Sequence, residues 1–317
     1  MELSAGAFSD PGRVRDNNED AYVVDDRLTL FAVADGMGGH LGGEVASWTA
    51  IEALRASVAN RRAINVAITE ANDAVRERAS GDPNLNGMGT TLTAVVVAGG
   101  RLLLIGHVGD SRAYLLHEGS LRRITDDHSL VEELVREGRL TPEQAESHPQ
   151  RAVVTRALGV DEEVDVDVFT VEVAEGDRVV LCSDGLTTMV RERDVERIMA
   201  AGNDPQRTAE ALVDAANEAG GTDNITVIVL DVVSVDDDTP IDPLAFAQAD
   251  APVTPVSVPA PDVEGAEPSA PAEKRSRRVR NVLLLAIPLV VIVLFAVGVA
   301  GYYARRSYYV GFEGDTV

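Results

Sequence analysis

Four aspartates stand at the edges of strand-like apolar runs. They are Asp35 in Asp35-Gly36-Met37-Gly38-Gly39-His40, Asp110 in Gly106-His107-Val108-Gly109-Asp110-Ser111-Arg112, Asp184 in Leu181-Cys182-Ser183-Asp184-Gly185, and Asp223 in Gly220-Gly221-Thr222-Asp223-Asn224. Strand ends from distant parts of a chain can converge, and carboxylates are hard oxygen donors that favour magnesium or manganese over zinc. No cluster of Cys or His in the sequence suggests a softer ion. Two such ions roughly 4 Å apart can share an activated water and clamp a phosphoryl group for in-line displacement, so this pattern suits attack on a phosphate ester. A glycine follows both Asp35 and Asp184; lacking a side chain, it lets the chain turn sharply after the strand and expose its carbonyl to an ion. A single Asp-Gly pair more often marks a hairpin turn. It is the set of four that points to a site.

The elements that must position these residues read as one α+β domain over residues 1 to about 235, with strand-like and helix-like stretches alternating and no long polar gap. Strands are expected over 28–34, 90–98, 101–108, 113–116, 164–173, 178–182 and 224–233, all rich in Val, Ile, Leu and Thr. Gly99-Gly100 and Glu118-Gly119 sit between apolar runs as two-residue hairpin loops do, so the sheet is expected to be antiparallel. Helical periodicity covers 44–59, 62–79, 129–138, 191–200 and 204–219. Asp204-Pro205 supplies an N-cap followed by proline at the first helical position, and Thr141-Pro142 does the same for a short helix.

Composition excludes several function classes. With 28 Lys plus Arg against 52 Asp plus Glu, the net charge of −24 repels nucleic acid and suits divalent cations. The single cysteine, Cys182, permits no disulfide within the chain and points to a reducing compartment. Met1-Glu2-Leu3-Ser4-Ala5-Gly6 has neither a basic start nor an apolar stretch, so the N-terminal domain is expected in the cytoplasm. Lysine occurs once, at Lys274, a bias read as genomic composition of a high-GC bacterium.

Beyond residue 235 the character changes. Eight of the 14 prolines fall in residues 236–273, with nine acids and no base, which defines a linker and not a fold. Such a segment spans roughly 30 to 100 Å, depending on whether it behaves as coil or as proline helix. Residues 282–303 form an uncharged apolar run of 22, long enough to cross a ~30 Å hydrocarbon core and without a polar stripe, so one transmembrane helix is expected there. Lys274, Arg275, Arg277, Arg278 and Arg280 precede it, whereas only Arg305 and Arg306 follow, so the N-terminal flank is expected to face the cytoplasm. The expected organisation is a catalytic domain (1–235), a linker ending in a basic cluster (236–281), a membrane span (282–303) and a short extracytoplasmic tail (304–317).

Read together, Gly12-Arg13-Val14-Arg15-Asp16-Asn17-Asn18-Glu19-Asp20, the Asp35 phrase, Gly87-Met88-Gly89-Thr90-Thr91, Gly106 to Arg112, Ser183-Asp184-Gly185-Leu186 and Asp223-Asn224 resemble, in order, the metal-dependent type 2C serine/threonine protein phosphatases. The linker and span further resemble the membrane-anchored actinobacterial members that oppose membrane Ser/Thr kinases. The resemblance implies a four-layer α-β-β-α sandwich of two mostly antiparallel sheets and hydrolysis of phosphoserine and phosphothreonine on proteins at a two-ion manganese or magnesium centre. It implies that Asp35 bridges both metals, Gly36 lends its carbonyl, and Asp184 and Asp223 complete the pair. Asp20 then holds metal-bound water, and Asp110 serves with Asp184 a third, weaker site. Arg15 grips the substrate phosphate through its planar fork; its bland alternative is a surface ion pair with Asp16.

Where animal members carry a histidine proposed to protonate the leaving alcohol, this chain has Met37, whose thioether has no proton to give. His40 and a water at the third site are the alternatives. Residues 124–156 match the flap of bacterial relatives and read equally as a substrate-facing element or a solvated helical hairpin. Cys182 is expected to be a buried structural cysteine, because Thr188 stands where a cysteine phosphatase needs arginine. Two other functions fit the same residues: a phosphoprotein-binding adaptor without turnover, and a phosphatase for one dedicated regulator.

Overall fold

The computed structural model of the chain describes residues 1–38, 42–236, 240 and 254–255. The chain divides into two units, Met1–Pro259 and Ala260–Val317, and all described residues belong to the first. His40, the basic flank, the apolar run 282–303 and the tail 304–317 lie outside the described residues. Among the described residues no helix is long and apolar enough to cross a membrane.

Two sheets form the body. One has the order β1 (Glu2–Asp10), β11 (Ile225–Ser234), β10 (Arg178–Cys182), β7 (Arg112–His117), β8 (Ser120–Arg123). The other runs β12 (Thr254–Pro255), β9 (Asp167–Glu172), β6 (Leu102–Val108), β5 (Leu92–Gly99), β3 (Leu30–Met37), β2 (Asp20–Asp25), with β4 (Gly89–Thr90) added beside β3. Every pairing is antiparallel except the two-residue parallel contact of β12 with β9.

Three apolar layers explain why the strands read as continuous apolar runs and not as alternating ones. Along β10, Val179 and Leu181 enter the layer between the sheets, while Val180 and Cys182 face the layer under α5 (Asp184–Met189), α6 (Glu192–Ala201) and α7 (Pro205–Glu218). Along β3, Phe31 and Val33 join the central layer, and Leu30, Ala32 and Ala34 pack against α1 (Gly42–Ala59) and α2 (Ile64–Ser80). Each fully buried Leu or Phe contributes about 2 kcal/mol. The expected α-β-β-α sandwich is therefore present, with strands made rigid from both faces.

Local signals act as their chemistry requires. Asp204 caps α7 by accepting from the Arg207 amide at 2.9 Å, with Pro205 in the first turn. Thr141 and Gln144 form a capping box on α4 (Pro142–Glu146), and Ser129 caps α3 (Leu130–Arg136). Glu118 and Gly119 both have positive φ (49° and 82°), the geometry a two-residue hairpin needs. Four strands escape the sequence reading: β1, β2, β8 and the two-residue β12, which falls in the segment expected to be linker. Small or polar residues give them little apolar contrast, and β1 is a strand only because it pairs along its whole length with β11.

Candidate active site

The four aspartates meet at one end of the sandwich. Asp35 lies near the end of β3, Asp110 follows the positive-φ Gly109 (115°) between β6 and β7, Asp184 begins α5, and Asp223 sits in the loop between α7 and β11. All four are partly exposed and line one cleft of about 340 Å³ together with Arg15, Gly36 and Met37. Ala152 and Val154 of the flap form its apolar side.

Asp20 is the fifth carboxylate. The β2–β3 register sets it directly opposite Asp35, and it is buried. Its Oδ2 accepts from Ser183 Oγ at 2.8 Å and Thr226 Oγ1 at 2.7 Å, and its Oδ1 is buried with no partner. A buried acceptor without a partner costs free energy that a ligand or water would recover.

The electrostatics follow from this crowding. Burial first, then repulsion from Asp20, Asp184, Asp110 and Asp223, holds the Asp35 carboxyl well above the usual carboxylate range. Burial likewise pushes Asp20 up to about 7, against the pull of its hydroxyl partners. Asp110 rises to about 7 through burial and its neighbours Asp184 and Asp127. Asp184 rises to about 6 through burial and Asp223, partly offset by a hydrogen bond with Asp35. As placed, no three His, Cys, Asp or Glu side chains among the described residues close tightly enough to hold an ion. Carboxylates this close repel one another when ionised, and a divalent cation offsets that repulsion. The donor set is all oxygen, carries excess negative charge and has an orphaned carboxylate oxygen beside it; it fits hard divalent ions and no softer metal.

Several supporting residues carried no role in the sequence reading. Thr91 Oγ1 accepts from the Asp35 amide at 2.9 Å while the Thr91 amide donates to the Asp35 carbonyl at 2.9 Å, and Thr90 Oγ1 donates to the same carbonyl. These bonds fix the Asp35 backbone. Ser183 and Thr226 orient Asp20. The signal was the Thr-Thr in the matched phrase, but its partner lies 55 residues away and no local pattern names it.

Two expectations change in their physical reason. Gly36 does not turn after the strand, because β3 continues through it to Met37. It is needed because a Cβ there would lie 2.1 Å from the Gly43 carbonyl oxygen and 2.5 Å from that of Glu19. Arg15 does not pair with Asp16; its guanidinium donates to Asp223 Oδ2 at 2.8 Å, with the two side chains 51% and 37% exposed. The flap is in part both of the readings given for it: α3 and α4 form a helical pair, yet Ala152 and Val154 reach the cleft. Cys182 is fully buried, and burial pushes its thiol up to about 12, which makes it no nucleophile.

With this geometry in place, comparison with known proteins is specific. The model of the family protein phosphatase 2C matches residues 13–216, and the chain belongs to that family. It is 45% identical over 244 residues to serine/threonine protein phosphatase PstP of Mycobacterium tuberculosis, covering 74% of this chain but 46% of the relative. The chain thus spans about half the length of that relative. It is 41% identical over 236 residues to the serine/threonine phosphatase stp of Listeria monocytogenes, covering 70% of this chain and 93% of the relative. Among solved structures, the catalytic domain of PstP in complex with two manganese ions aligns with a TM-score of 0.67 at 40% identity, covering 73% of this chain and 99% of that one.

Proposed function

We propose that this chain hydrolyses phosphoserine and phosphothreonine on proteins at a two-ion manganese or magnesium centre. The observation that carries the reading is the convergence of Asp35, Asp110, Asp184 and Asp223, from four separate segments, on one cleft beside Arg15. Asp35, the Gly36 carbonyl, Asp184 and Asp223 would hold the two ions, and Asp110 with Asp184 a third. When bound, the ions supply an activated water and offset the charge of the phosphoryl group. Arg15 offers the phosphate the N–H donors that Asp223 leaves unused. Asp20, clamped at Oδ2, presents Oδ1 to orient a water. Ala152 and Val154 keep bulk water from one side. No covalent phosphoenzyme forms, because the nucleophile is water and Cys182 is inaccessible.

The adaptor reading is weaker, because every carboxylate of the cleft and Arg15 are present. A dedicated-regulator phosphatase uses the same site and differs only in its substrate range. From the basic flank and the apolar run 282–303 we further propose a single-pass anchor with the catalytic domain on the cytoplasmic side, opposing membrane Ser/Thr kinases and dephosphorylating their substrates. The test uses the full chain with manganese on p-nitrophenyl phosphate and a phosphothreonine peptide. Turnover is expected, and Asp35→Asn or Asp223→Asn should abolish it. Retained activity in either variant, or stoichiometric phosphopeptide binding without turnover, refutes the site.

A further inference from the structure

The loop of residues 11–19 carries Arg15 between β1 and β2, and it has no ladder of its own to hold it. Its residues 13–17 are exposed, including the apolar Val14. A phosphate-binding guanidinium on an unsupported exposed loop would sample many positions and lose affinity to that freedom. Something must fix the loop, and Arg15's own ion pair with Asp223 is too exposed to do so alone.

One buried side chain spans the loop. Asn224 is 5% exposed, and its Nδ2 donates to the Pro11 carbonyl at 3.0 Å and the Asn17 carbonyl at 2.8 Å. Its Oδ1 accepts from the Glu19 amide at 2.8 Å. Both amide hydrogens and the carbonyl oxygen are therefore used, on both ends of the segment that presents Arg15. The amide orientation is settled by these partners, since a flipped group would set its oxygen against two carbonyl oxygens. The backbone is pressed to the same place from two sides. A Cβ on Gly12, which has φ +83°, would lie 2.2 Å from the Asp223 carbonyl oxygen, and one on Gly185 would lie 2.0 Å from that of Asn224.

We infer that Asn224 is a positioning residue that ties the Arg15 loop to the Asp223 backbone, so that the phosphate-gripping guanidinium and the adjacent carboxylate keep a fixed separation. It borders the same cleft, but the polar atoms of its side chain are all taken up by loop backbone, so it acts through Arg15. The inference rests on the reading of Arg15 as a phosphate ligand. A neutral three-bond strut also explains the asparagine itself: aspartate would repel both carbonyls, and serine would not reach all three partners.

The test begins with the wild-type full chain without metal, by hydrogen exchange. The Glu19 amide should be protected nearly as well as the β11 amides, although its loop is exposed; rapid exchange there overturns the inference whatever any variant does. Kinetics with manganese and a phosphothreonine peptide then form a double-mutant cycle. Asn224→Ala should raise KM about tenfold with a much smaller change in kcat, the loss expected from freeing the loop. It should also speed exchange over residues 12–18 and trypsin cleavage after Arg13 and Arg15 in metal-free protein. Arg15→Ala should raise KM by itself, and the double variant should be no worse than Arg15→Ala alone. Full additivity overturns the inference. Where Arg15→Ala leaves KM unchanged, the phosphate-ligand reading fails; where it raises KM but a folded Asn224→Ala does not, only the role of Asn224 fails. Should Asn224→Ala not fold, Asn224→Ser takes its place in the cycle, with the same outcomes deciding.

Discussion

The two walls of the cleft are held by different chemistry. The Arg15 wall hangs mainly on amides: the Asn224 side chain, the Arg13 amide donating to the Gly221 carbonyl at 2.7 Å, and a single carboxylate, Asp10, whose Oδ1 accepts from the Gly12 amide and the Asn217 side chain. The flap wall hangs on ions and imidazoles. Arg112 grips Asp127 in a bidentate pair of 2.9 and 2.6 Å, Arg123 meets Glu132 at 3.1 Å, and Arg156 meets Asp167 at 2.8 Å. His128 accepts from the Gly109 amide at Nδ1, and its Nε2 lies 3.1 Å from Asp167 Oδ2 and 3.0 Å from the Arg156 guanidinium. His107 packs against it with ring centroids 4.7 Å apart. Amide–carbonyl bonds neither titrate nor screen appreciably, whereas ion pairs and imidazoles do both. The wall that meets the phosphate thus depends less on charge, and the wall carrying the flap depends on it more.

The comparison is broken most directly at Arg112. Replacing it with Met leaves Asp127, buried at the start of the flap, without its bidentate partner and with only Arg123 at 3.9 Å, and removal of one member of such a pair costs about 3–5 kcal/mol. Urea denaturation should show this loss, whereas Asn224→Ala should cost about 1–3 kcal/mol by the same measurement. Equal losses would mean that the two walls do not differ in kind.

Acid separates them next. Burial, and then His128, drive the His107 imidazole from its usual 6.5 down to about 3 despite the nearby Asp127, Asp167 and the Asp126 carbonyl. The unfolded chain therefore binds a proton at this position between those values and the folded chain does not, so the contribution of this histidine to stability falls as pH drops from 6.5 towards 3, by up to about 1.4 kcal/mol per pH unit. Asp167 adds to the loss further down. Its burial would raise it, but the hydrogen bonds from His128 and Arg156 prevail and lower it to about 2; the stability it contributes is present above 3.8 and disappears as pH falls through 2. Because the raised cleft carboxylates Asp20, Asp35, Asp110 and Asp184 gain stability over the same fall in pH, the histidine is read as a difference: in chemical denaturation from pH 7 to 4, wild type should lose stability relative to His107→Gln. An unchanged slope in that variant would remove the histidine pair from the account.

How far the sequence spoke follows from the same physics. The four aspartates were legible because each borders an apolar run, and a run buried on both faces, as in β3 and β10, is hard to miss. The capped helices α4 and α7 were legible because a cap is a local bond. β1 and β2 were not, since Gly6 and Ala7 or Asp20 and Tyr22 show no contrast until β11 and β3 lie beside them. The roles of Thr226, Ser183 and Asn224 were hidden for a sharper reason. Thr226 serves Asp20 from 206 positions away, and Asn224 serves Pro11 from 213. The glycines after Asp35 and Asp184 were correctly singled out for turning only in the second case, where β10 gives way to α5; both also permit a close approach, of Gly43 and of Asn224.

The smallest effect is the most discriminating for the two walls. The Arg156–Asp167 pair is about one-third exposed on both sides, so its contribution is about 0.5–1 kcal/mol and shrinks as salt is raised. Moving from 0.05 to 1 M sodium chloride, about a fourfold shortening of the screening length, should speed hydrogen exchange at flap-base amides. The reporters are Thr155, bonded to the His128 carbonyl at 2.8 Å, and Leu130, bonded to that of Val153 at 2.9 Å. Arg156→Gln should reproduce the change at low salt and abolish its salt dependence. The Glu19 amide on the opposite wall, bonded to the neutral Asn224 side chain, should not respond to salt at all. A parallel response there would show that the two walls open together, and that the flap is not an independently adjustable side of the cleft.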